Sequence, residues 1–217
     1  MIATAGILQN LESAVLRQDD GLLERSMQTA LDNNLPATRI REALLNGLNM
    51  IRKRLLSNDT SLPELLVSLD VVASGLEKLR ANPSAFPGEN PVSLVIGAVE
   101  GDPHDLGKNI IAMIYRSFGY QVWDLGAQVP LDRFVQTVME KKANILALSA
   151  MMSTTMTRMP EIIKEVKAVS PDTLVLVGGA PLDETLAAVY GADGYAESAA
   201  TVLEATESLL KKKQGAR

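Results

Sequence analysis

From Val92 onward, short apolar runs alternate with helical segments. Val92–Val99, Tyr120–Leu125, Ile145–Ala150, Thr173–Val177 and Asp193–Ala196 read as strands. Between and after them, Leu106–Phe118, Leu131–Lys142, Thr155–Val169, Asp183–Tyr190 and a last segment to about Leu210 carry helical spacing. Strands separated by helices cannot close as hairpins and must pair in parallel through crossovers. Five such βα units predict a doubly wound, Rossmann-like sheet of the flavodoxin type. In that architecture ligands bind beyond the carboxyl ends of the strands. The loops at 100–107, 126–130, 149–155 and 178–181 are therefore expected to form one rim.

The residues before this pattern are different in kind. Asn82-Pro83-Ser84-Ala85-Phe86-Pro87-Gly88-Glu89-Asn90-Pro91 holds three prolines and a glycine in ten residues, which breaks helices and reads as a linker. Upstream, Leu8, Leu11 and Val15, then Leu22, Leu23, Met27 and Leu31, recur at intervals of three and four. Asp19 or Asp20 can cap the second segment. A third helix is expected from about Pro36, with Ile40, Leu44, Leu48, Ile51 and Leu55 on one face. A fourth opens at Ser61-Leu62-Pro63-Glu64, where Ser61 and Glu64 fit a capping box and Pro63 sits in the first turn. Four helices with short connections predict an antiparallel bundle. The expected division is a helical domain over 1–88 and an α/β domain over 89–217.

Composition narrows the chemistry. There is no cysteine and one histidine, His104. That excludes disulfides, thiolate catalysis and iron–sulfur ligation, and one chain cannot build a multi-histidine metal centre. A net charge of −5 argues against a nucleic-acid binder. The basic run Lys211-Lys212-Lys213 reads as a solvated helix end. No apolar stretch is long enough to span a bilayer. The amino-terminal sequence has no basic n-region or apolar h-region, so a cytoplasmic protein is expected.

Three signals fall on the predicted rim. Asp102-x-His104 lets a carboxylate reach the imidazole, fixing the tautomer and freeing the second nitrogen as ligand or base. Ser149, Ser153, Thr154 and Thr155 crowd the loop after the third strand, where helix capping requires only one hydroxyl. Gly178-Gly179 ends the fourth strand and serves either a tight turn or a ligand crossing bare backbone. Gly107, opening a helix, allows something to approach its backbone closely.

Taken together, Asp102-x-His104-x-x-Gly107, Ser149-x-Met151 and Gly178-Gly179 resemble the cobalamin-binding signature DxHxxG…SxL…GG. The longer strings Gly101–Asn109, Asp124-Leu125-Gly126-x-x-Val129-Pro130, Gly178–Pro181 and Gly191–Ala196 are similar to the corrinoid proteins of bacterial and archaeal methyltransferase systems. The helical part resembles the cap preceding the cobalamin domain of methionine synthase. Met151 stands for the usual Leu, a near-isosteric exchange. In the cap, Arg52, Leu55 and Ser61 occupy positions where the family often carries a glycine or aromatics.

The resemblance implies a cap over a cobalamin domain and a base-off, His-on cofactor. His104 would be the lower axial ligand of cobalt, Asp102 would bond its far nitrogen, and Thr155 would complete the relay. Ser149 and Ser153 would meet the displaced base, Gly178 and Gly179 would leave it room, and Gly107 would let the nucleotide loop pass. Asp105, Leu106, Met151 and Ala180, inside the same motifs, complete the implied cofactor-binding set. No catalytic residue is assigned.

The implied function is a methyl carrier with methylcobalamin as its loaded form, itself a non-catalytic subunit of a transferase system. Its implied partners are a substrate-specific methyltransferase, a second one using tetrahydrofolate or coenzyme M, and a reductive activator. Methanol, methylamines, glycine betaine and aryl methyl ethers, the last by O-demethylation, are the donors such proteins serve. A mutase subunit would normally lack the helical cap. A cobalamin-sensing regulator would want a DNA-binding domain and a tryptophan in the cap, whereas Trp123 lies in a strand.

Overall fold

The structure, a computed structural model, describes residues 2–80 and 92–215. The chain divides into two compact units, Met1–Asn90 and Pro91–Arg217. The proline-rich seam and the expected boundary at residue 88 lie outside the described residues.

Four helices make the first unit: α1 (Ile2–Arg17), α2 (Asp20–Asp32), α3 (Ala37–Leu56) and α4 (Leu62–Arg80). Leu11, Val15, Leu23, Met27, Ile40, Leu44, Leu48, Leu65, Leu69 and Val72 are buried between them. That apolar stripe is what holds helices of this length together. Asp19, not Asp20, caps α2, its carboxylate accepting the Leu22 N–H at 2.8 Å. At the start of α4 the Glu64 carboxylate accepts the Ser61 N–H at 2.7 Å and the Ser61 hydroxyl at 2.9 Å.

The second unit runs β1 (Ser93–Ala98), α5 (Leu106–Ser117), β2 (Gln121–Asp124), α6 (Leu131–Lys141) and β3 (Ile145–Ser149). It continues with α7 (Ser153–Met156), α8 (Met159–Val169), β4 (Leu174–Gly178), α9 (Glu184–Val189), β5 (Gly194–Ala196) and α10 (Val202–Gly215). The five strands are parallel in the order β2-β1-β3-β4-β5, the doubly wound arrangement expected. Val95, Leu146, Leu148, Val175 and Val177 pack one face against Phe134, Val138, Ile162 and Val166.

Two expectations change. The helix read as Thr155–Val169 is two helices, α7 and α8, separated by Thr157 and Arg158. Pro160 lies in the first turn of α8. There its missing N–H is harmless, but its ring would clash with the Met156 carbonyl in a continuous helix. The basic run lies within α10, and Lys213 is not merely solvated: its ammonium donates to the Asp172 carbonyl.

Candidate functional site

In a sheet of this order the chain leaves β1 and β3 in opposite directions, opening a crevice between their carboxyl ends. The β1–α5 loop and the β3–α7 loop meet there, and the group that joins them is Asp102. Its side chain is wholly buried. Oδ1 accepts the His104 N–H at 3.2 Å and the ring Nδ1 at 2.8 Å. Oδ2 accepts the Met151 N–H at 2.7 Å, the Met152 N–H at 3.3 Å and the Thr155 hydroxyl at 2.6 Å.

Burial raises the affinity of Asp102 for a proton. Hydrogen bonds from Thr155, Met151 and His104 outweigh that and hold its carboxyl at about 2. Asp102 is therefore an anion at neutral pH and can only accept. The proton between it and His104 sits on Nδ1, and the imidazole presents the Nε2 lone pair. The His104 side chain is 52% exposed. An exposed imidazole with its tautomer fixed by a buried carboxylate is a ready single-nitrogen ligand.

The surroundings are open where a ligand would lie. A methyl group added at Gly107 would meet nothing within 4 Å. Leu106, its neighbour in the chain, is 70% exposed, an apolar side chain left uncovered. Met151 is exposed, and Ser153 and Ala180 are also at the surface. Across the sheet, Ala98, Ser149, Gly178 and Ala196 lie in register at the last row of their strands. All four are small. One row back on the same face, a methyl group at Gly194 would strike Leu209 of α10. At Gly178 an added methyl group would press on the Ala196 carbonyl oxygen at 2.9 Å. In that last row Ser149 and Gly178 are half-buried, whereas Ala98 and Ala196 are buried.

Sequence reasoning brought the expected residues to one edge: Asp102, His104, Thr155 and Met151 are joined by hydrogen bonds, while Ser149 and Gly178 form the small row beside them. Asp105 precedes α5 without a side-chain cap bond. Gly179 has a role the sequence does not display. With φ +135 it presses against the Ala150 carbonyl, and any side chain there would collide with that oxygen. Its neighbour Gly178 accepts the Ala150 N–H at 3.2 Å. The paired glycines thus seat the segment whose next two N–H groups bind Asp102.

Sequence reasoning also missed Lys108, one of the largest fully buried side chains, whose ammonium lies 2.6 Å from Asp124. The motif strings contain both residues, but nothing in their spacing announces the pair.

These features match what a corrinoid asks of a protein. His104 offers one nitrogen, Nε2, which would suit a metal already held by a macrocycle. Among the described residues, no group of three or more His, Cys, Asp or Glu could hold a bare metal ion.

Comparison with known proteins agrees. Residues 92–204 match the B12 binding domain family, and residues 7–80 match a second family of the same description. The chain is 32% identical to a corrinoid protein of Desulfitobacterium hafniense over 95% of its own length and 98% of the relative's. It is 31% identical to dimethylamine corrinoid protein 1 of Methanosarcina mazei, covering 97% and 99% of the two chains. Among solved structures, a cobalamin-binding protein from D. hafniense aligns with a TM-score of 0.80 at 25% identity, over 93% and 98% of the two chains. The methanol:cobalamin methyltransferase complex of Methanosarcina barkeri contains a chain aligning at TM-score 0.74 and 25% identity, over 90% of this chain and 76% of that one. With its carboxylate-held imidazole at the crevice of a doubly wound sheet, the chain belongs to the B12-binding corrinoid proteins of methyltransferase systems, and its cofactor is cobalamin or a related corrinoid.

Proposed function

We propose that this chain is the methyl-carrying subunit of a multi-component methyltransferase. It holds its corrinoid with the cofactor's own base displaced and His104 as the lower axial ligand. A substrate-specific methyltransferase loads it, a second methyltransferase unloads it to tetrahydrofolate or coenzyme M, and a reductive activator restores cofactor that has been oxidised. One relative is named for dimethylamine and another sits in a complex with a methanol methyltransferase. The donor class is accordingly a small methylated compound bound by the partner.

The observation that carries this reading is the division of labour on Asp102. One oxygen holds the Nδ1 proton of His104 while the other is fixed by Met151, Met152 and Thr155. When bound, the corrin supplies a cobalt centre that takes up and gives up a methyl group. The chain supplies one nitrogen whose donor strength it can adjust. Drawing the Nδ1 proton toward Asp102 makes Nε2 a stronger donor; releasing it toward Nδ1 weakens the donation. Thr155 and the Met151 N–H stabilise the anion that allows this. Gly107 leaves space for the cofactor to lie against the start of α5, and the half-buried Ser149 and Gly178 would border the displaced base.

The test uses apo-protein reconstituted with hydroxocobalamin, desalted and reduced to cobalt(II). The electron paramagnetic resonance spectrum should show axial nitrogen splitting that changes from a triplet to a doublet when the protein carries 15N-histidine. A colourless protein band, or splitting indifferent to the label, would sink the assignment.

A further inference from the structure

We propose that Lys108 and Asp124 form a positioning pair that sets the pose of His104; the proposal rests on His104 being the lower ligand. Lys108 lies in the first turn of α5, four residues after the imidazole, with its side chain 1% exposed. Its ammonium donates to Asp124 Oδ1 at 2.6 Å and to Asn109 Oδ1 at 2.5 Å. Asp124 is the last residue of β2. The same Oδ1 accepts the Gly126 N–H at 2.9 Å. Two residues on, the Gln128 N–H donates to the carbonyl of Asp102 at 3.1 Å, and Gln128 holds a left-handed φ of +53.

These contacts close a ring around the histidine loop. Its exit, at the first turn of α5, is pinned through Lys108 to Asp124. Its entry, at the backbone of Asp102, is pinned through Gln128 to the segment that Asp124 orders. His104 stands between the two anchors. A buried lysine is costly unless paired, and replacing such a pair with apolar residues is often neutral for stability. Packing alone therefore does not account for an ion pair here. What it gives is geometry: one carboxylate oxygen fixes both the helix start and the adjoining loop, and so the distance at which Nε2 stands from the sheet edge.

The experiment compares Lys108→Met, Asp124→Asn and the double variant with the parent and with His104→Ala. The holo-proteins are read by the axial nitrogen splitting of the cobalt(II) form. The apo-proteins are read by the solvent exchange of the Nδ1 proton, unambiguous because the chain has one histidine. Each single variant should lower the ratio of His-ligated to His-free corrinoid about tenfold, as removal of outer partners of a metal ligand typically does. The double variant should lose no more than either single one, since the two act as a unit. In the apo-proteins the Nδ1 proton should exchange faster.

An unchanged ratio with a lower melting temperature would overturn the proposal, leaving the pair as packing. Additive losses would overturn it as a pair. Failure of all three variants to fold would overturn it by making the pair a folding requirement. If the parent and His104→Ala give the same spectrum, the ligand assignment itself has failed, and this proposal with it.

Discussion

A methyl group added at Gly107 enters open space, whereas one added at Gly179 collides with the Ala150 carbonyl. Both glycines belong to the same binding signature, and both sit at the carboxyl edge of one sheet. Gly107 has ordinary backbone angles and no neighbour that demands a missing side chain. Gly179 has a left-handed φ and a carbonyl pressed against it. The loop after β1 thus leaves the space beside Gly107 open to solvent. The loop after β4 has spent its space on the chain itself, seating the residues that hold Asp102. The fold itself requires the second glycine and makes no such demand on the first.

The largest effect is expected at Gly179→Ala. Collision and a disallowed backbone together should cost about 4 kcal/mol or prevent folding. A chemical denaturation midpoint like that of the parent would break the contrast.

The carboxylate that joins the two loops gives the next effect. Asp102 is held at about 2 in the folded chain against an ordinary 3.8. Its ionised form is favoured by folding, so the stabilisation is fully present above about pH 4 and disappears as pH falls toward 2. The amount is about 2 kcal/mol. Stability measured across that range should show the acid limb in the parent and lose much of it in Asp102→Asn.

Gly178→Ala should cost less than Gly179→Ala, about 2 kcal/mol, because the added group meets the Ala196 carbonyl at 2.9 Å and that backbone must shift. If Gly178 borders the displaced base, corrinoid retention should fall further than stability does. Equal falls would make the position purely structural.

Gly107→Ala should change stability least and in the opposite direction, a gain of about 0.5 kcal/mol from helix propensity. Weaker hydroxocobalamin retention with a slightly higher apo melting temperature sharpens the contrast. A loss of apo stability would erase it.

The sequence made the alternating unit legible because its periods are long and its glycines and hydroxyls fall at strand ends. It located the imidazole and its carboxylate, two residues apart. It could not reveal the Met151 and Met152 N–H groups, since a backbone donor has no residue type. The break between α7 and α8 was hidden because a proline at the start of one helix leaves the apolar spacing of both intact. Lys108 and Asp124 lie in separate motifs, and a pair 16 residues apart on different elements becomes visible only when the elements pack.

Asp102 and His104 are neighbours in the chain, yet Thr155 reaches the carboxylate from 53 residues away. Contacts of such span close only after the intervening loop has been ordered. Until β1 and β3 pair, Asp102 lacks three of its donors. The full set of donors on that carboxylate is therefore a product of the paired sheet, while its contact with the imidazole is local to the loop after β1.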